Sequence, residues 1–108
     1  MKILKKEETL ITAEQVREDL KNIRYYYAHK ESMESSFKIT GETSVVNLAA
    51  KYNGIVREAP IKLYDLYANL YLRNITQEAL SIVMNYTPQY IRLLNKELVD
   101  FFQKQLEY

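Results

Sequence analysis

The 108 residues of the chain suffice for one domain with a modest core, but not for two independent ones. Hydrophobic residues make up 47% of the sequence and charged residues 27%, and there are only two glycines and two prolines. This composition predicts an all-α fold, because it has too few turn-forming residues for a β-sandwich. The net charge of +1 provides no overall field that would attract nucleic acid or an anionic membrane, so any such contact needs a local patch.

The absence of cysteine excludes disulfides and thiolate metal sites and indicates a reducing compartment. No apolar run approaches the roughly 20 residues of a membrane span. The first residues, MKILKKEE, lack the apolar stretch of a secretory signal. We therefore expect a cytoplasmic protein that does not enter the membrane.

The chain opens with a segment that we interpret as a flexible arm, residues 1–11, because its charges follow no period. Thr12 and Gln15 have the spacing of a capping box, which predicts a helix start at Thr12. Met33 and Phe37 are candidates to extend this helix. Its apolar stripe follows helical spacing and consists of Val16, Leu20, Ile23 and Tyr27.

The opposite face of this first helix carries Arg17, Lys21 and Arg24. Glu14 and Glu18 lie one turn away, so we expect local ion pairs and a solvated face in preference to a phosphate-binding patch.

Three consecutive tyrosines, residues 25–27, could suggest base stacking, but consecutive helical residues point about 100° apart and cannot form one platform. His29 has no cysteine or second histidine with which to share a metal, and we expect it on the surface.

A second helix is predicted from Thr43 or Ser44 through Tyr52, with its stop at Asn53-Gly54. An Asn-Gly pair can also mark a β-hairpin, but the preceding residues have helical spacing. Pro60 then opens a third helix, residues 61–73. Its polar residues are Lys62, Asp65, Asn69 and Arg73, and they form one narrow stripe. This pattern predicts a helix that is nearly surrounded by other helices.

Residues 76–95, TQEALSIVMNYTPQYIRLLN, have the pattern of a helix-turn-helix. Thr76 and Thr87 are candidate N-caps, Pro88 suits a first helical position, and Asn85 suits the left-handed turn residue. Ser81 is the small residue at the crossing of the two helices. Leu80, Met84, Ile91 and Leu94 are the predicted inward-facing residues, with the third helix as their scaffold.

The last helix continues beyond this motif with more apolar residues than a recognition helix needs, namely Leu98, Phe101, Phe102 and Leu106. They can fold onto the first two helices or form the seam of a homodimer. We thus divide one helical domain, 12–108, into N-terminal helices, 12–58, and a tri-helical helix-turn-helix unit, 60–108.

No constellation of catalytic residues, phosphate-binding loop or metal-ligand spacing is present in the sequence, so we expect neither an enzyme nor a cofactor. The helix-turn-helix predicts double-stranded DNA as the partner. Gln89 and Arg92 suit base edges, Leu93 a thymine methyl, and Thr87 and Lys96 phosphate. The predicted groove-facing residues are Thr87, Pro88, Gln89, Arg92, Leu93 and Lys96.

The third helix followed by TQEALSIVMNYTPQYIRLLNKEL resembles the helix-turn-helix of region 4 of sigma-70 factors. The layout of an amphipathic helix, VREDLKNIRYYY, followed by a variable middle and a C-terminal sigma-like unit, resembles the phage and mobile-element regulators of the ArpU/RinA type. The resemblance implies promoter binding by the helix from Pro88 and contact with RNA polymerase. The leading hypothesis is a DNA-binding transcription regulator, and the alternative is a helical protein-protein interaction module.

Overall fold

The computed structural model describes residues 11–30 and 44–106. The helices are α1 (Ala13–Ala28), α2 (Ser44–Val56), α3 (Ile61–Tyr67) with a π-helical continuation (Ala68–Leu72), α4 (Gln77–Met84) and α5 (Pro88–Gln105). No strand occurs in these two ranges, and the predicted all-α class is confirmed. None of the helices in the same ranges has the length and apolar character needed to cross a membrane.

Helix α1 begins where the sequence predicts, because the Thr12 hydroxyl accepts a hydrogen bond from the Gln15 amide at 3.0 Å. The Gln15 side chain donates to Asp19 at 2.9 Å. Val16, Leu20 and Ile23 are buried as predicted, whereas the next buried residue is Tyr26, with Tyr27 only partly buried. The proposed extension through Met33 and Phe37, and the arm through Leu10, lie outside the described residues.

Helix α2 passes through Asn53-Gly54, so the predicted stop at that pair is wrong. Tyr52 and Val56, one turn apart, are both buried in the core. Asn53 accepts from the Tyr67 hydroxyl at 2.6 Å and donates to the Tyr27 hydroxyl at 3.0 Å. This burial and bonding offset the cost of about 1 kcal/mol that a glycine imposes inside a helix.

Helix α3 follows Pro60 as predicted, and it buries Leu63, Leu66 and Tyr67. The expectation that α3 is nearly surrounded is wrong, because Ile61 is 78% exposed and Tyr64 41% exposed beside the predicted polar stripe. After Tyr67 the helix widens into the π-helical segment. This segment ends at Arg73, whose backbone amide donates to the Ala68 carbonyl at 2.9 Å.

One hydrophobic core includes residues from every helix. Helix α5 contributes Leu98, Val99 and Phe102, which are buried, and it packs against α1, α2 and α3. The additional apolar residues at the C-terminal end of α5 therefore pack against other helices of the same chain. Helix α1 packs extensively on the π-helical segment, so the three C-terminal helices share one core with the N-terminal ones. A separate tri-helical unit stays a prediction.

Candidate nucleic-acid interface

The turn between α4 and α5 has the predicted local structure. Asn85 adopts the left-handed conformation, with φ 58° and ψ 38°, which asparagine tolerates better than other residues with a Cβ. The Tyr86 amide donates to the Ser81 carbonyl at 3.0 Å, and the Ser81 hydroxyl donates to the Tyr86 carbonyl. These bonds close the end of α4 and set the direction in which α5 leaves the turn.

Both helices of the motif are capped by threonine, as the sequence predicts. Thr76 accepts from the Ala79 amide at 3.1 Å, and Thr87 accepts from the Tyr90 amide at 3.1 Å. Pro88 occupies the first turn of α5, where its missing N–H leaves no bond unmade. Tyr86 and Tyr90 meet edge to face at 4.8 Å between ring centroids and brace the turn.

The inner and outer faces of α5 separate as predicted. Ile91 and Leu94 are buried, as is Leu80 on α4, while Met84 is partly buried. All of the predicted groove-facing residues are exposed: Thr87, Pro88, Gln89, Arg92, Leu93 and Lys96. The first turns of α5 therefore present polar, apolar and cationic groups on one accessible surface.

Beside this surface lies a cleft of about 290 Å³, here called the basic cleft. Its lining residues are Arg17, Gln77, Arg92, Asn95, Lys96 and Val99. Arg17 comes from α1, so the fold brings a cation from the N-terminal helix next to two cations of α5. In the part of the chain that the structure describes, no carboxylate lines the basic cleft.

Among the residues that the structure describes, no acid lies within ion-pair distance of Arg17, Arg92 or Lys96. The expected local pairing of Arg17 and Lys21 with Glu14 and Glu18 does not form. Within residues 11–30 and 44–106 the salt bridge found is Lys62–Glu97, at 3.9 Å and on the surface. An exposed ion pair gains little electrostatic energy in water, and forming it restricts two long side chains. Proximity in sequence is therefore not enough to make these charges pair.

One wall of the basic cleft is held by a hydrogen bond from the Tyr71 hydroxyl to Asn95 Oδ1, at 2.6 Å. Burial raises the pKa of Tyr71, and the bond to Asn95 and the positive charges of Arg24 and Arg17 oppose that rise. Because Asn95 Oδ1 is occupied, the amide nitrogen of Asn95 remains as a donor.

A second cleft, of about 260 Å³, lies further along α1. It is lined by Lys21, Arg24, Tyr25, Ala28, His29 and Asn74. Tyr25 is 58% exposed and stacks on the exposed His29 ring at 4.2 Å. Tyr26 is buried, so adjacent tyrosines do point in different directions and form no common platform.

No known protein family matches this chain, and no curated protein or solved structure is significantly similar to it. The structure defines an all-α protein with a capped helix-turn-helix at the surface. The resemblance to sigma region 4 and to ArpU/RinA regulators stays a prediction.

Proposed function

We propose that this protein is a non-enzymatic, DNA-binding transcription regulator that reads double-stranded DNA with the N-terminal half of α5. The observation that carries the proposal is the division of α5 into a buried face, with Ile91 and Leu94, and an accessible face that holds Gln89, Arg92 and Lys96. A reading helix needs this division, because one face must be fixed to the protein while the other enters the major groove.

The accessible side chains suit the chemistry of a groove. Gln89 can bond an adenine edge in two places, and the planar guanidinium of Arg92 can bond a guanine edge. Leu93, 51% exposed, offers an apolar contact for a thymine methyl. Thr87 and Lys96 suit backbone phosphates, which position a protein without reading sequence.

The resemblance to phage and mobile-element regulators supports a cytoplasmic role at promoters, with RNA polymerase as a further partner. A homodimer is also part of the proposal. Of its predicted seam residues, Leu98 and Phe102 are buried within the chain, whereas Phe101 and Leu106 are partly buried.

A protein-docking function is the second candidate, and a specific observation favours it. Ile82 and Val83 on α4 are 82% and 76% exposed, so adjacent large apolar side chains project from the first helix of the motif. Such side chains are common at protein interfaces. This surface lies on α4, and the proposed reading surface lies on α5.

The test is a titration with duplex DNA, using sequences selected from a randomised pool, at about 50 mM and about 200 mM salt. Two to three phosphate contacts would release counterions on binding and lower the affinity by about 10- to 40-fold between these concentrations. Enrichment of a preferred sequence together with this salt dependence supports the proposal. Absence of duplex binding at the lower salt concentration would contradict it and leave protein docking as the function to pursue.

A further inference from the structure

We propose that the basic cleft binds a backbone phosphate of the DNA, and that Arg17 of α1 is one of its phosphate contacts. This inference rests on the proposed function, since it assigns an N-terminal helix to the same interface. It assigns a DNA contact to Arg17, which the sequence pattern placed on an ion-paired, solvated face of α1.

The charge around the basic cleft favours an anion. Arg17, Arg92 and Lys96 reach it from two helices that are distant in sequence, and no acidic side chain of residues 11–30 or 44–106 lines it. Glu97, which follows Lys96, is engaged by Lys62 at 3.9 Å. Like charges brought together by a fold repel one another, and an anion placed among them converts that repulsion into attraction.

The size and polar lining also fit a phosphate group. A cleft of about 290 Å³ has room for a phosphate with several waters, since each water occupies about 30 Å³ in the liquid. Asn95 supplies an amide donor held in place by Tyr71. Gln77, the first residue of α4, adds a second side-chain amide to the lining.

The position of the cleft relates phosphate binding to base reading. Lys96 lies one helical turn after Arg92, so Arg92 can extend from the edge of the cleft to a base while Lys96 and Arg17 hold the neighbouring backbone. Contacts from α1 and α5 to one phosphate would fix the rotation of the reading helix in the groove.

The experiment compares the full-length protein with Arg17→Gln and with the matched control Arg57→Gln. Arg57 is also exposed, but it does not line the cleft. Arg17→Gln should weaken duplex binding by about tenfold at low salt, the effect of losing one charged hydrogen-bonding contact. It should lower the salt slope by about one unit and leave the preferred sequence unchanged. Arg57→Gln should change the affinity by less than about twofold, in line with a charge outside the contact surface.

The outcomes separate this inference from the proposed function. If wild-type protein binds selected duplexes and Arg17→Gln behaves like Arg57→Gln, the cleft is not a phosphate site and α5 still reads DNA. If the protein binds no duplex but binds inorganic phosphate saturably in a manner that Arg17→Gln abolishes, the cleft holds a free anion. That result would contradict both the backbone contact and the DNA-binding function.

Discussion

Arg24 and Asn74 bind each other through two reciprocal hydrogen bonds. Arg24 Nε donates to Asn74 Oδ1 at 3.2 Å, and Asn74 Nδ2 donates to the Arg24 carbonyl at 3.2 Å. Asn74 has a left-handed backbone, with φ 59°, in the link between the π-helical segment and α4. The pair fixes the basic face of α1 relative to the start of the helix-turn-helix.

This relationship predicts a ranking of two substitutions at Asn74. Asn74→Gly keeps easy access to the left-handed backbone but loses both bonds, so the free energy of unfolding should fall by about 1 to 3 kcal/mol. Asn74→Ala loses the same bonds and also places a Cβ in that conformation, which should cost about 1 kcal/mol more. Urea denaturation of both variants measures the difference. Equal stabilities would mean that the backbone conformation of Asn74 is not maintained in solution.

A stabilising substitution is predicted at Gly54. This residue lies inside α2, and a Cβ added to it would meet no atom within 4 Å. Gly54→Ala should therefore raise the free energy of unfolding by about 0.5 to 1 kcal/mol, because alanine loses less backbone entropy on forming the helix. Thermal melts can detect this gain. A loss of stability would argue against a helix that continues past Asn53.

Alkaline pH should destabilise the fold through its buried tyrosines. Burial, then the hydrogen bond to Asp19, raises the pKa of Tyr52 above its ordinary value of about 10. Burial likewise raises the pKa of Tyr67. The folded state therefore keeps protons that the unfolded chain releases above about pH 10, so stability is retained below that pH and decreases above it.

The decrease should approach about 1.4 kcal/mol per pH unit for each of these tyrosines. Denaturation at several pH values from about 9 to about 11 measures the slope. Tyr52→Phe should reduce it, since one titrating group is removed. A wild-type stability that stays level up to pH 11 would contradict the burial of Tyr52 and Tyr67.

The features that sequence predicted well depend on short-range interactions. The Thr12, Thr76 and Thr87 caps and the left-handed Asn85 are determined by residues within one turn, which a sequence pattern displays directly. The buried face of α5 follows from helical period alone. The exposure of the predicted groove-facing residues follows for the same reason, since residues away from the buried face of a helix remain accessible.

The features that sequence missed depend on distant partners. Gly54 remains helical because Val56 and Tyr52 bury against other helices, an effect that local propensity does not include. The π-helical segment packs on α1, far away in the chain. Arg17 lines the basic cleft only because α1 packs beside α5 in the fold. The sequence signal was the i, i+4 and i, i+7 spacing of Arg17, Lys21 and Arg24, which places these cations on one face of α1.

Ile91 provides the folding control for the proposed DNA-binding surface. Its side chain is fully buried, so Ile91→Ala should lower the free energy of unfolding by about 2 to 5 kcal/mol. Thermal melting measures this loss. DNA affinity should then decline only in proportion to the unfolded fraction. A stable Ile91→Ala protein would show that α5 is not anchored by this face.

The central claim is that the exposed face of α5 reads DNA, and its most direct test is the affinity of Arg92→Ala and Lys96→Ala for a selected duplex at two salt concentrations. Arg92→Ala should cost about 1 to 3 kcal/mol of binding free energy and relax the preference at one base pair. Lys96→Ala should weaken all sequences alike and lower the salt slope by about one unit. Unchanged DNA binding by both variants, with unchanged melting temperatures, would contradict the claim.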